Sequence, residues 1–137
     1  MTIVEFLEAR LDEDEEVARD AAGWDSSGSV RDEGLWRRDG VNSVIDGARR
    51  MVVYGDGSAP DDSRAEHIVR HDPARVLREL AAKRAIIAEY VNECWVQDQG
   101  HRTAWTEGGQ AARETALRLF ASTYSDHPEY QAEWAIS

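Results

Sequence analysis

A chain of 137 residues, 42% hydrophobic and 31% charged, is long enough for one hydrophobic core and has the balance of a folded rather than a disordered protein. Its net charge of −11 disfavours nonspecific contact with nucleic acid or an anionic membrane surface. A single cysteine, Cys94, excludes an intrachain disulfide, and the N-terminus carries no apolar run of the kind a signal peptide or membrane span needs, so a cytoplasmic protein is the default expectation.

The acids crowd the first half, where residues 1–62 hold 16 acids against 7 bases. Thr2 and Glu5 have the spacing of a capping box, in which each side chain satisfies the other's free N–H. Behind them Val4, Leu7, Leu11, Val17 and Ala18 form a broken helical stripe that predicts a helix to about Ala22, stopped by Gly23. Asp12 to Glu16 are five consecutive acids, eased by an i,i+4 pair from Glu15 to Arg19. A surface for a basic partner is one reading of that run; a solvated helical face is the simpler one.

From 24 to 57 glycines interrupt the helical period. Leu35 to Arg38, Asp39-Gly40 and Val41 to Ile45 read as a hairpin with a two-residue type I′ turn. Asp46-Gly47 is a second turn, and Arg50 to Tyr54 a third strand. Such a meander needs a helix on one face to be stable. Ser26, Ser27 and Ser29 sit among glycine and aspartate, a turn composition, and Gly55 to Ser63 is a loop too short to separate two domains.

Residues 63–137 read as helical. Arg64 to His71 is a short helix capped by Asp62 or Ser63. The longest element follows, from Asp72 to Gln97, with Asp72 as N-cap, Pro73 in the first turn, and Val76, Leu77, Leu80, Ala81, Ile87, Val91, Cys94 and Trp95 along one face. Asp98 to Trp105 is a loop. Thr106 then caps a fourth helix with Ala112, Ala116, Leu119, Phe120 and Thr123 on one side, and Asp126 opens a short fifth through Tyr130 and Trp134. The expectation is a mostly helical α+β single domain of four to five helices, with a small antiparallel β-meander packed on the long central helix. Its expected core is Leu7, Leu11, Val52, Val76, Leu80, Ile87, Val91, Trp95, Leu119 and Phe120.

Chemistry-bearing patterns are sparse. His67 and His71 lie four apart, so on a continuous helix they share a face suited to a metal, but no glutamate follows His67 and the HExxH signature is absent. Cys94, His101 and His127 are scattered. Both His67 and His71 also sit near a helix end, where imidazoles engage terminal carbonyls. The Lys-Ser/Thr of a phosphate-binding loop and the G-x-S-x-G nucleophile elbow are missing. No catalytic residue, metal ligand set or cofactor is assigned. Arg70, Arg75 and Arg78 gather at the start of the central helix, where pairing with Glu66, Asp72 and Glu79 outweighs an anion site. Trp95 is expected in the core, with Trp24, Trp36, Trp105 and Trp134 pinning peripheral segments; several tryptophans exposed together would instead mark a partner surface.

Three blocks, IVEFLEARLDEDEEVAR, HIVRHDPARVLRELAAKRAII and LRLFASTYSDHPEYQAEW, resemble a small actinobacterial and actinophage family described only as domain of unknown function 6221. The resemblance implies a small intracellular protein of bacterial or phage origin and brings no activity with it. It directs attention to His67, His71, Asp72 and Pro73 in the middle block and to Tyr124, Asp126, His127, Pro128, Tyr130 and Trp134 in the last. His67, His71, Asp72, Tyr124, His127, Tyr130 and Trp134 are therefore the candidate binding residues. The functional expectation is a non-enzymatic interaction or accessory protein that binds another protein or a second copy of itself. The alternative is a metal- or small-ligand-binding protein using the histidines.

Overall fold

The structure, a computed structural model, describes residues 1–23, 27, 31–41, 43–54 and 61–137. Trp24, Ser26, Ser29 and most of the expected 55–63 loop lie outside them. Among the described residues the chain is α+β. The helices are α1 (Ile3–Ala22), α2 (Asp62–Arg70), α3 (Pro73–Asp98) and α4 (Ala104–Ser122), and the strands β1 (Trp36–Asp39), β2 (Ser43–Asp46) and β3 (Met51–Val53) form an antiparallel sheet in the order β1-β2-β3. No helix among these residues is long and apolar enough to cross a membrane. The chain divides into two compact units, one of residues 13–80 and one of residues 1–12 with 81–137.

The helix ends follow from side-chain chemistry. At α1 the Thr2 N–H donates to Glu5 Oε2 at 2.7 Å, and the Glu5 N–H donates to Thr2 Oγ1 at 3.2 Å. Gly23, at φ +72°, terminates the helix in a conformation that costs glycine little. Two expected caps move upstream. The cap of α2 is Asp61, whose carboxylate accepts from the Arg64 N–H at 2.9 Å. The cap of α4 is Thr103, with Thr106 completing a capping box as its third helical residue. In both cases the better cap is the residue whose side chain reaches the N–H three positions on.

In the unit of residues 13–80, Asp39 pairs with Ser43, so Asp39 ends the ladder of β1 instead of opening the expected two-residue turn, and Gly40 follows it at φ +77°. The second turn is held by Asp46, whose Oδ1 accepts from the Ala48 and Arg50 N–H groups at 2.9 and 2.8 Å. Between β2 and β3 the pairing jumps from Val44↔Val53 to Ile45↔Met51, leaving Val52 as the extra residue of a bulge and only half-buried.

The helix lying against β1 and β2 is α2 rather than the expected central helix. Arg38 reaches from β1 to the Asp62 carboxylate at 2.6 Å. The start of α3 joins the sheet through its cap, because Asp72 accepts from the Arg75 N–H at 2.8 Å and also from the Trp36 N–H at 3.3 Å. Gly34 passes so close to Pro73, Ala74 and Ala22 that an added Cβ would lie 3.0 Å from the Ala74 nitrogen and from Pro73 Cβ.

In the other unit the last segment does not form the expected helix from Asp126. Residues 123–130 are successive turns, followed by a short 3-10 helix at Ala132–Trp134. The Glu129 N–H, which Asp126 would need to cap a helix, donates instead to His127 Nδ1 at 3.1 Å. Here the nearer acceptor wins.

Buried core residues include Phe6, Leu7, Leu11, Val44, Ile45, Leu80, Ile87, Leu117, Ala121 and Trp134. The expected core members Val91, Trp95 and Leu119 are instead exposed, and Val76 and Phe120 are half-buried. The face of α4 that turns to α3 carries Gln110 and Leu117, so a polar residue interrupts the apolar period and shifts its apparent phase by a residue or two.

Two stability effects follow. Gly34→Ala combines a left-handed backbone, at φ +70°, with a steric overlap. It should lower unfolding free energy by about 1–3 kcal/mol in urea titrations. The Thr2 backbone N–H, then the Thr2 hydroxyl, hold the Glu5 carboxyl below its usual 4.5. A depressed carboxylate contributes stability that is present above its unfolded value and lost as pH falls through the folded one. Glu5→Gln keeps the geometry but should flatten the loss of stability as pH falls below the usual 4.5, read from thermal midpoints.

Candidate functional site

The candidate binding residues fall into two groups, one in each unit. In residues 13–80, α2 ends at the two histidines. The His71 backbone N–H donates to the carbonyls of His67 and Ile68, and its Nδ1 lies 2.9 Å from the His67 carbonyl, as a donor to it. The rings stack with centroids 4.2 Å apart. His71 thus closes a helix C-terminus, the task a histidine performs well there. Asp72 then opens α3 and anchors Trp36, so the middle block of the sequence, HIVRHDP, is a helix-to-helix corner. The neighbouring arginines pair as expected, Arg70 with Glu66 at 2.9 Å and Arg75 with Glu79 at 2.7 Å. Among the described residues no group of three or more His, Cys, Asp and Glu side chains is placed to hold a metal ion.

In residues 1–12 with 81–137, the last block wraps one ring. Phe6 is fully buried, with Tyr124, His127, Tyr130 and Trp134 around it at centroid distances of 6.3, 5.8, 6.3 and 4.9 Å. Three of these contacts are edge-on, the arrangement aromatic quadrupoles favour. Arg10, one helical turn after Phe6, is 6% exposed; its guanidinium stands over the Phe6 ring, contacts both nitrogens of His127 and pairs with Glu129 at 3.2 Å. Beside this cluster Ile3, Tyr90, Glu114, Arg118, Glu133 and Trp134 line a surface groove of about 340 Å³. Partial burial, then the nearby Cys94, push the Tyr90 hydroxyl above 10.0 and keep it neutral. Arg118 is engaged by Glu114 at 2.8 Å, so the groove presents a closed ion pair rather than an open cationic centre.

Sequence reasoning found the last block and missed what it folds around. Phe6 and Arg10 lie on the same face as Ile3 and Leu7, at spacings of three and four. A lone arginine inside an apolar stripe is the signal that would have flagged them.

A third feature is on the α3–α4 hairpin, which is held by Gln97 and Gln110: Gln97 Nε2 donates to the Thr106 carbonyl at 3.1 Å, and Gln110 Nε2 donates to the Tyr90 carbonyl at 3.0 Å. Toward its tip Val91, Trp95 and Trp105 are 46%, 62% and 88% exposed. Val91 and Trp95 are one turn apart on the same face of α3.

Fold and site together define a small α+β protein whose middle and last sequence blocks serve a helix corner and an aromatic clasp. The chain belongs to a family of unknown function, DUF6221, whose model matches residues 1–136. No curated protein and no solved structure matches it.

The aromatic clasp sets a stability expectation. Phe6→Ala removes a ring packed on all sides and should cost about 3–5 kcal/mol in chemical denaturation.

Proposed function

We propose that this is a non-enzymatic cytoplasmic interaction or accessory protein, and that the exposed aromatic face near the tip of the α3–α4 hairpin is where its protein partner, or a second copy, docks. The observation that carries the reading is the exposure of Trp95 and Trp105. Tryptophan carries much of the binding energy in protein interfaces and is costly to leave in water. The caps and ion pairs already described account for much of the charge in the two motif blocks, which supports a binding rather than a catalytic role. The acidic flanks Glu89, Asp98 and Glu107 suit a partner with a basic rim.

The competing reading, a metal or small ligand at the histidines, draws on the paired rings of His67 and His71 at the end of α2. Native mass spectrometry from chelator-free buffer separates the two. A tightly held metal lost on His67→Ala or His71→Ala favours the second reading and sinks the first. For the first, Trp95→Ser with Trp105→Ser should leave the thermal midpoint within a few degrees of wild type. The same double change should weaken the complex, self-associated or partner-bound, by about 30-fold or more in sedimentation or affinity capture. Complexes of unchanged strength in the double variant would remove the face from consideration.

A further inference from the structure

We infer that α3 pairs with α3 of a second copy of this chain, antiparallel and centred on Ala88, through the face that α4 leaves open. The inference rests on the docking reading above, since both use Trp95, and it commits that face to one occupant. Ala81, Ala88 and Trp95 lie seven apart, so on a 3.6-residue helix they drift by only about 20° per step and form one nearly straight stripe. Ala85 and Asn92 flank it on one side, Arg84 and Val91 on the other. All of these except Arg84 are exposed, Val91 by 46% and Trp95 by 62%. The other side of the same turns is spent within the fold, where Ile87 and Gln97 are buried and Gln110 reaches Cys94.

The stripe is graded in size, and the grading selects the orientation. An indole stands at one end, and at the other are alanines that offer a methyl group each. Alanines alone would specify nothing; here the exposed indole is the knob and the alanines are the hole. Two copies antiparallel about Ala88 set Trp95 of each opposite Ala81 of the other, bulk into a gap at both ends, with Ala88 on the two-fold axis. Two parallel copies would set indole on indole, hold the alanine end apart, and bring Arg84 against Arg84. Charge agrees with the antiparallel choice. Arg84 is the single charge on the stripe and its flanks, and Asp12 balances it at 2.8 Å. In the antiparallel pair it falls beside the second copy's indole, a ring on which a guanidinium stacks well. Two chains of net charge −11 thus meet here without opposing carboxylates. Size then sets the strength. From Ala81 to Trp95 the stripe runs about 21 Å at about 1.5 Å per residue, a single helix–helix contact. That falls short of the roughly 800 Å² per partner of a stable interface, so the dimer is weak, with Kd on the order of 10–100 μM.

Sedimentation of the intact protein from about 5 μM to about 500 μM should show a reversible monomer–dimer equilibrium. Ala88→Cys, made with Cys94→Ser, should form a disulfide between copies on mild oxidation, because residue 88 meets itself on the axis. Ala82→Cys with the same Cys94→Ser, exposed on another face of α3, should not. Ala81→Trp fills the gap and should weaken the dimer about tenfold or more with its thermal midpoint unchanged, as should Trp95→Ser. Trp105→Ser, on α4 and off the stripe, should leave it within about threefold. A wild type that stays monomeric throughout the range overturns the pairing. So does a dimer that Ala81→Trp leaves intact, or one that cross-links equally through positions 82 and 88. A monomeric wild type that captures a different protein, and loses it in the Trp95→Ser, Trp105→Ser double variant, overturns the pairing and leaves the docking face standing.

Discussion

The burial of Phe6 organises the unit that contains both ends of the chain. A 20-residue helix as charged as α1 has little reason to persist in water on its own, since isolated helices of that length depend on packing more than on propensity. Phe6, Leu7 and Leu11 give it a narrow apolar edge, and the C-terminal turns close over that edge with four aromatic rings. Arg10 belongs to the same arrangement. Its position beside Phe6 forces a charge into the interior, and the interior answers with an imidazole acceptor and a carboxylate. The aromatic and ionic contacts are thus one device, not two.

The other unit is built on a different economy. Its sheet is short, with strands of three and four residues, and is held as much by side chains that reach the backbone as by the ladder. Asp46 shapes a turn, Asp61 starts a helix, and Asp72 both starts a helix and fastens the Trp36 N–H. Three of the acids that composition alone reads as surface charge act in this way. An aspartate that caps is doing the work of a hydrogen-bond acceptor, and its charge is incidental to the solvent-facing field.

How far the sequence discloses this depends on the range of the interaction. Helix spans, the Thr2–Glu5 box, the Asp72 cap, the second turn and the Glu15–Arg19, Arg70–Glu66 pairs are all local, and all were legible. So was the presence of a three-stranded antiparallel sheet. What the pattern misplaced was decided by distant partners. Val91 and Trp95 follow Ile87 at spacings of four, yet the side of α3 that α4 covers runs on through Tyr90, Cys94 and Gln97, so the buried stripe turns away from them. Phe6 and Arg10 gain their meaning from His127 and Trp134, at the far end of the chain. The C-terminal segment reads as a capped helix because Asp126 offers a good cap; the competing acceptor is the His127 ring, which takes the Glu129 N–H instead. The histidines of α2 were legible as a pair, and their capping geometry was one of the two readings the spacing allowed.

The division of the chain into units has a bearing on how the protein comes into being. Residues 13–80 are contiguous and can assemble as soon as they leave the ribosome, whereas the other unit needs residues 1–12 together with 81–137. Arg10 and His127 are 117 positions apart. At synthesis rates of about 5–20 residues per second, Phe6 is out in solvent on the order of ten seconds before its aromatic cover is made. During that interval the start of α1 is a short apolar edge in an acidic helix, with no native partner yet in existence. The five consecutive acids that follow it, Asp12 to Glu16, lie where a nascent chain most needs a charge that keeps it from sticking to its neighbours. Charge beside an uncovered apolar edge disfavours association of nascent chains, and in the finished protein members of the same run make ion pairs, Asp12 with Arg84 at 2.8 Å and Glu15 with Arg19 at 2.7 Å.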